Sequence, residues 1–185
     1  MDAQHKDRKI FLIGFMGSGK TTISRSLSRK CAMPWTDTDQ EIVRRTGRTI
    51  NDIFAEDGES AFRQLETQVL SQIAQEPGDL IISCGGGIAL KDENVRIMRT
   101  YGDVVYLSAT PETIFERVRY STNRPLLNGH MEIGYISDLM DKRLPYYRAA
   151  ATLTVDVDGR EIYQIAGEIR SKLSLPGARV SRGDA

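Results

Sequence analysis

What this sequence lacks narrows its class before any motif is read. Cysteine and histidine are nearly absent: Cys31, Cys84, His5 and His130 are the only ones in 185 residues. Two thiols build no disulfide framework. Two distant imidazoles offer no zinc-type ligand spacing. Cys31 and Cys84, at an expected helix end and strand end, therefore read as reduced intracellular thiols. Charge of one sign is also missing, since 25 Lys and Arg stand against 25 Asp and Glu. That balance argues against a basic nucleic-acid footprint and against a polybasic membrane patch. No apolar run approaches the ~18 residues needed to span a bilayer. The opening MDAQHKDRK lacks the apolar stretch of a secretory signal. No internal repeat is visible. The expectation is a cytoplasmic chain, 1–185 forming one domain, with neither nucleic acid nor membrane as a partner.

What is present is an alternation of short branched runs and longer helical patterns. KIFLI (9–13), DLIIS (79–83), DVVYL (103–107) and TLTVDV (152–157) suit buried strands, and MPWTD (33–37) is a shorter candidate. Helical patterns cover SRSLSRKC, DQEIVRRTG, ESAFRQLETQVLSQIAQ, ENVRIMRTYG, ETIFERVRY, SDLMDKRLPYYRAA and REIYQIAGEIRSKL. In the third of these, Phe62, Leu65, Val69, Leu70 and Ile73 form one apolar stripe that would pack on a sheet. Gly47, Pro77-Gly78 and Pro111 behind a Thr110 cap punctuate the helices. Such alternation argues for a mainly parallel sheet covered on both faces. The tail SLPGARVSRGDA, about 174–185, is polar and is expected to fray.

Between the first strand and the first helix, Gly14 to Thr21 reads GFMGSGKT and matches G-x-x-x-x-G-K-[ST] in full. The glycines let successive N–H groups face phosphates, and the helix N-terminus adds its positive dipole end. Gly17, Ser18, Gly19, Lys20, Thr21 and Thr22 are the candidate ATP contacts. Lys20 would reach the β- and γ-phosphates and Thr21 would ligate Mg²⁺. A glycine-rich turn with a solvated lysine is the bland alternative. The full pattern in a strand-to-helix setting outweighs it.

Many functions share this loop, and the rest of the chain discriminates among them. No N-K-x-D guanine reader occurs. The strand DLIIS ends not in a metal-binding carboxylate but in Cys84-Gly85-Gly86-Gly87, where backbone can approach a small ligand closely. Carboxylates stand instead in WTDTDQEI. On an extended segment Asp37 and Asp39 share a side, one toward Mg²⁺ and the other toward an acceptor hydroxyl. Alternatively, Asp39 caps the following helix and Asp37 lies in the loop. Arg63 and Arg143 could clamp an acceptor carboxylate by bidentate pairing. Arg124, before Pro125 in a long loop with Asn, Gly and His, suits a lid over about 117–131 that brings charge to the γ-phosphate and excludes water.

GFMGSGKT, DTD, GRTINDIFAEDGESAFRQLE, CGGG, RPLL and KRLPYYRAA follow one another, from Ile10 to Ala150, in the order and spacing of shikimate kinases. The chain resembles that family. The resemblance implies a P-loop three-layer α/β/α fold of the nucleoside monophosphate kinase type, with five parallel strands in the order 2-3-1-4-5. It implies transfer of the ATP γ-phosphoryl group to the 3-hydroxyl of shikimate, in chorismate and aromatic amino-acid biosynthesis, by a monomer. By resemblance Asp39 is the candidate base on the hydroxyl and Asp37 assists Mg²⁺. Arg63, Arg143, Gly85, Gly86 and Gly87 hold shikimate. Lys20 and Arg124 act on the phosphates. Arg119 stacks near adenine, with Arg117 competing for that place. Ser24 departs from the family's usual glycine. A gluconate-type carbohydrate kinase shares the fold and the loop, but DTD and CGGG argue against it. A binding module without turnover should have lost one of Lys20, Asp39, Arg63 or Arg124.

Overall fold

The computed structural model describes residues 7–119 and 132–178. Five strands, β1 (Lys9–Ile13), β2 (Trp35–Asp37), β3 (Leu80–Ser83), β4 (Gly102–Ser108) and β5 (Leu153–Asp156), pair only in parallel in the order β2-β3-β1-β4-β5. Helices α1 (Lys20–Cys31), α2 (Thr38–Thr46), α3 (Ile50–Glu56), α4 (Gly58–Gln75), α5 (Asp92–Tyr101), α6 (Pro111–Val118), α7 (Ile133–Ala150) and α8 (Ile162–Lys172) cover both faces. The expected α/β class and strand order are met.

Two-residue side-chain alternation divides the core between the faces. From β1, Phe11 and Ile13 join a cluster with Phe62, Leu70, Ile73 and Met98 of α4 and α5. Ile10 and Leu12 point the other way, into a cluster with Ile23 and Leu27 of α1 and Ile165 and Ile169 of α8. Every residue of β1 is buried, which is why KIFLI reads as a continuous apolar run rather than an alternating one. The lysine that opens it is buried too, 2% exposed, and its ammonium donates to the carbonyls of Glu76 (2.6 Å) and Gly78 (2.5 Å) just past α4. Lys9→Met keeps the stem and removes both bonds. It should cost about 1–2 kcal/mol and lower Tm by roughly 3–6 °C in thermal unfolding; an unchanged Tm would refute the capping role.

Two local readings need correction. α3 was not expected: its seven residues contribute one buried side chain, Ile53, too little for a periodic signal. A capping box between Thr49 and Asp52 marks its start instead. As the pattern SDLMDKRLPYYRAA implies, α7 does run through Pro145, whose missing N–H leaves the Asp141 carbonyl without its helical donor on an exposed face, where water can serve. The tail does not fray at its start. Leu175 is buried, the Ala178 N–H donates to the Lys30 carbonyl, and Arg8 donates to the carbonyls of Leu173 and Ser174. Of the expected lid, residues 120–131 lie outside the described residues, with Arg124 and His130 among them; residues 179–185 of the tail do so as well.

Candidate active site

All five strands run the same way, so their C-terminal ends share one edge of the sheet. Ligands of open α/β sheets bind there, where the chain turns from β1 to opposite sides. The loop after β1 enters α1 at Gly19, whose φ of 94° a side-chain-bearing residue adopts only under strain. Lys20 is 9% exposed, and its ammonium donates to the carbonyls of Gly14 and Phe15, both at 2.9 Å. Those two bonds hold the charge over the loop. One residue on, the Thr21 hydroxyl donates to Asp37 Oδ2 at 2.8 Å, and the Ser83 hydroxyl donates to the same oxygen at 2.8 Å. The ends of β2 and β3 and the first turn of α1 thus converge on one carboxylate. Ser83 had no sequence signal beyond closing a strand.

Neither reading of DTD was right in detail. Asp37 ends β2 and is itself the N-cap of α2, accepting from the N–H groups of Asp39 (3.0 Å) and Gln40 (3.3 Å). Asp39 lies in the first helical turn, not on an extended segment. The helix begins one residue earlier than its polar start suggested, because a capping aspartate next to a strand end satisfies two N–H groups at once. Asp37 therefore uses one oxygen for the cap and the other for Thr21 and Ser83.

Two cavities open at this edge. One, about 520 Å³, is lined by Gly17 to Thr22, Asp37, Asp39 and Ser83, and on its far side by Arg117, Val157 and Arg160 to Ile162. The other, about 600 Å³, is lined by Asp39, Arg63, Glu66, Gly85, Gly86, Gly87 and Arg143 and by an apolar wall that includes Met16, Ile50, Phe54 and Phe62. Asp39 borders both.

In the second cavity the guanidiniums of Arg63 and Arg143 line the space that the three glycines bound. Arg143 is buried, lies over the Phe15 ring at 5.5 Å, and donates to the Gly86 carbonyl at 3.5 Å. The Tyr147 hydroxyl donates to that same carbonyl, and its ring stacks on Tyr106 at 5.2 Å. Burial pushes the Tyr147 phenol up to about 12, so it remains a donor at neutral pH. Arg63 reaches Glu66 Oε2 at 2.8 Å and Glu59 Oε1 at 3.1 Å. Glu66 is fully buried, and burial raises its carboxyl above the ordinary range while Arg63 pulls it back. The sequence carried a signal for it: a glutamate four residues after Phe62, inside the apolar stripe of α4.

Gly85 and Gly87 leave space for neighbouring side chains rather than serve a special backbone angle. A Cβ on Gly85 would stand 2.6 Å from Glu66 Oε1 and 2.7 Å from Asp39 Oδ1, and one on Gly87 would collide with the Arg63 guanidinium. What approaches this backbone closely is the protein's own charged groups. Burial raises the Cys84 thiol well above its usual value and raises that of Cys31 as well, so neither is a ready nucleophile.

On the first cavity's far side the two competing arginines separate. Arg117 extends back to the loop, within 3.4 Å of the Gly17 carbonyl and 3.5 Å of the Val157 carbonyl. Arg119 pairs with Glu116 at 2.9 Å and does not line the cavity.

This arrangement has close counterparts. The shikimate kinase family model matches residues 16–174. A shikimate kinase of Dehalococcoides mccartyi is 44% identical over 164 residues, 89% of this chain and 92% of that protein. The solved shikimate kinase from Acinetobacter baumannii, in complex with shikimate, superposes with a TM-score of 0.86 at 35% identity, covering 91% of this chain and 94% of that one. A gluconokinase from Sinorhizobium meliloti, with TM-score 0.58 and 19% identity over 91% and 93% of the two chains, shares the fold alone. With the phosphate loop from Met16 onward, the paired arginines and the glycine turn inside the matched span, the chain belongs to the shikimate kinase family.

Proposed function

We infer that the protein transfers the γ-phosphoryl group of ATP to the 3-hydroxyl of shikimate, giving shikimate 3-phosphate and ADP. The observation that carries this reading is Asp39, which borders both the phosphate-loop cavity and the cavity of the two arginines. A hydroxyl beside Asp39 meets a terminal phosphate presented over Lys20. Asp39 orients that hydroxyl and accepts its proton, and most of the remaining catalysis is positioning and charge neutralisation. Arg63 and Arg143 hold the acceptor carboxylate, with Gly85, Gly86 and Gly87 as the floor and Phe54 and Phe62 against the ring. Lys20 neutralises phosphate charge. Arg124, outside the described residues, keeps the lid role that the resemblance implies. We assign the adenine side to Arg117 rather than Arg119, because only Arg117 lines that cavity.

Thr21, Asp37 and Ser83 form an all-oxygen group, which suits a hard divalent cation. Thr21 and Asp37 would hold Mg²⁺. A cation held there would supply positive charge against the phosphates. The protein acts as a monomer in the cytoplasm on this reading, and no helix among the described residues is long and apolar enough to cross a membrane.

Comparing shikimate with gluconate as acceptor tests the assignment. ADP release should require shikimate and stay at background with gluconate. Turnover of gluconate would identify the wrong acceptor, and no acceptor-dependent ADP at all would favour a binding module. Tyr147→Phe probes the glycine floor. Loss of the phenol leaves the Gly86 carbonyl with its long Arg143 contact, so KM for shikimate should rise about 5-fold with kcat within about 2-fold. An unchanged KM would show that the phenol does not fix the floor.

A further inference from the structure

Among the described residues, Glu66 is the one acidic group of the acceptor cavity with no solvent exposure. Its Oε2 accepts from Arg63 Nη1, while its Oε1 has no hydrogen-bond partner among the described residues. That unpartnered oxygen is aimed at Gly85, at the same point Asp39 Oδ1 approaches from α2. The charged groups around it are Arg63 and Glu59 on its own helix, Asp39 on α2 and Arg143 on α7; the Cys84 thiol next to Gly85 stays neutral.

Two guanidiniums therefore face three carboxylates before any acceptor arrives. A carboxylate-bearing acceptor claims the same guanidiniums and adds another negative charge in a poorly solvated space. Like charges at such distances favour protonation of whichever carboxylate is least hydrated. Asp39 is partly exposed; Glu66 is not.

We propose that Glu66 takes up one proton from solvent when the acceptor carboxylate engages Arg63, so that acceptor binding and Glu66 protonation are coupled. The inference rests on the reading of this cavity as the shikimate site. Neutral Glu66 keeps its bond from Arg63 through Oε2 and gains an O–H donor on Oε1, the oxygen that lacks a partner, directed toward Gly85 and Asp39. The proton comes from bulk water or buffer, and no other reactant is needed. Because binding takes up a proton, affinity falls as pH rises between the Glu66 pKa of the free protein and that of the complex, by at most tenfold per pH unit.

Isothermal titration of the full chain with shikimate, in phosphate and in Tris, reads proton uptake directly from the difference in heat. Across a pH series run upward from the ordinary carboxylate range, uptake should pass through a maximum approaching one proton per shikimate. In Glu66→Gln it should fall near zero, and the pH dependence of affinity should flatten. Identical heats in the two buffers, or undiminished uptake in Glu66→Gln, would overturn the coupling. The wild-type comparison decides alone if the variant does not fold. Absence of shikimate binding would overturn the acceptor assignment along with the coupling, whereas binding without uptake overturns the coupling only.

Discussion

Replacing Lys20 with methionine should lower kcat about a thousandfold and leave KM for shikimate within about threefold of wild type. The lysine is held before nucleotide arrives: two loop carbonyls at 2.9 Å fix its ammonium, and little of it is exposed. A charge fixed in advance in a poorly hydrated site stabilises the migrating phosphoryl group without reorganising at the moment of transfer. Methionine preserves the stem, so the packing of the loop against α1 survives. Lys20 lines the phosphate cavity and not the acceptor cavity, which predicts the split between kcat and KM. Steady-state kinetics checks it, and a kcat within tenfold of wild type would remove Lys20 from the chemistry.

Arg63→Ala should do the reverse, raising KM for shikimate about a hundredfold and lowering kcat less than tenfold. The lost interaction is a charge-assisted bond to the acceptor carboxylate in a half-closed cavity, worth about 2–3 kcal/mol. The structure adds a second expected effect. Arg63 is the hydrogen-bond partner that neutralises buried Glu66, so truncation strands a carboxylate inside the protein. Stability should fall by about 2 kcal/mol, discounted because the Arg63 side chain keeps 20% exposure. Glu66→Gln in the same background should restore stability and leave KM high. Restoration of KM by that second change would mean that Arg63 acts only through Glu66 and does not touch the acceptor.

The legible parts of this chain were local. KIFLI followed by GFMGSGKT announced a strand, a phosphate cradle and a helix, because the dihedral angles and N–H directions that such a loop needs are written into neighbouring residues. The alternation of branched runs with helical patterns pointed to a covered parallel sheet, and the observed sheet is parallel, in the order β2-β3-β1-β4-β5 that the resemblance implied. Less legible were the roles that depend on partners far away in the chain. DTD held two plausible arrangements, and the outcome was a third, since Asp37 joins a helix cap to hydroxyls from α1 and β3. Arg117, in the last turn of α6, and Arg119, its C-cap, are two residues apart. Only the packing of α6 against the loop separates them, with the Val118 side chain filling the space beside Gly17.

By itself the sequence determined the phosphate loop, the layered parallel architecture and the family, since each is carried by residue types and motifs whose order and spacing can be read along the chain. Tertiary structure alone decided that Asp39 borders both cavities, that Arg63 and Arg143 line the same one, and that Gly85 and Gly87 make room for charged side chains. Those facts arise where α2, α4, α7 and the turn after β3 meet. Contacts between segments so distant in the chain are set by how the sheet's crossovers pack, and no segment carries that information on its own.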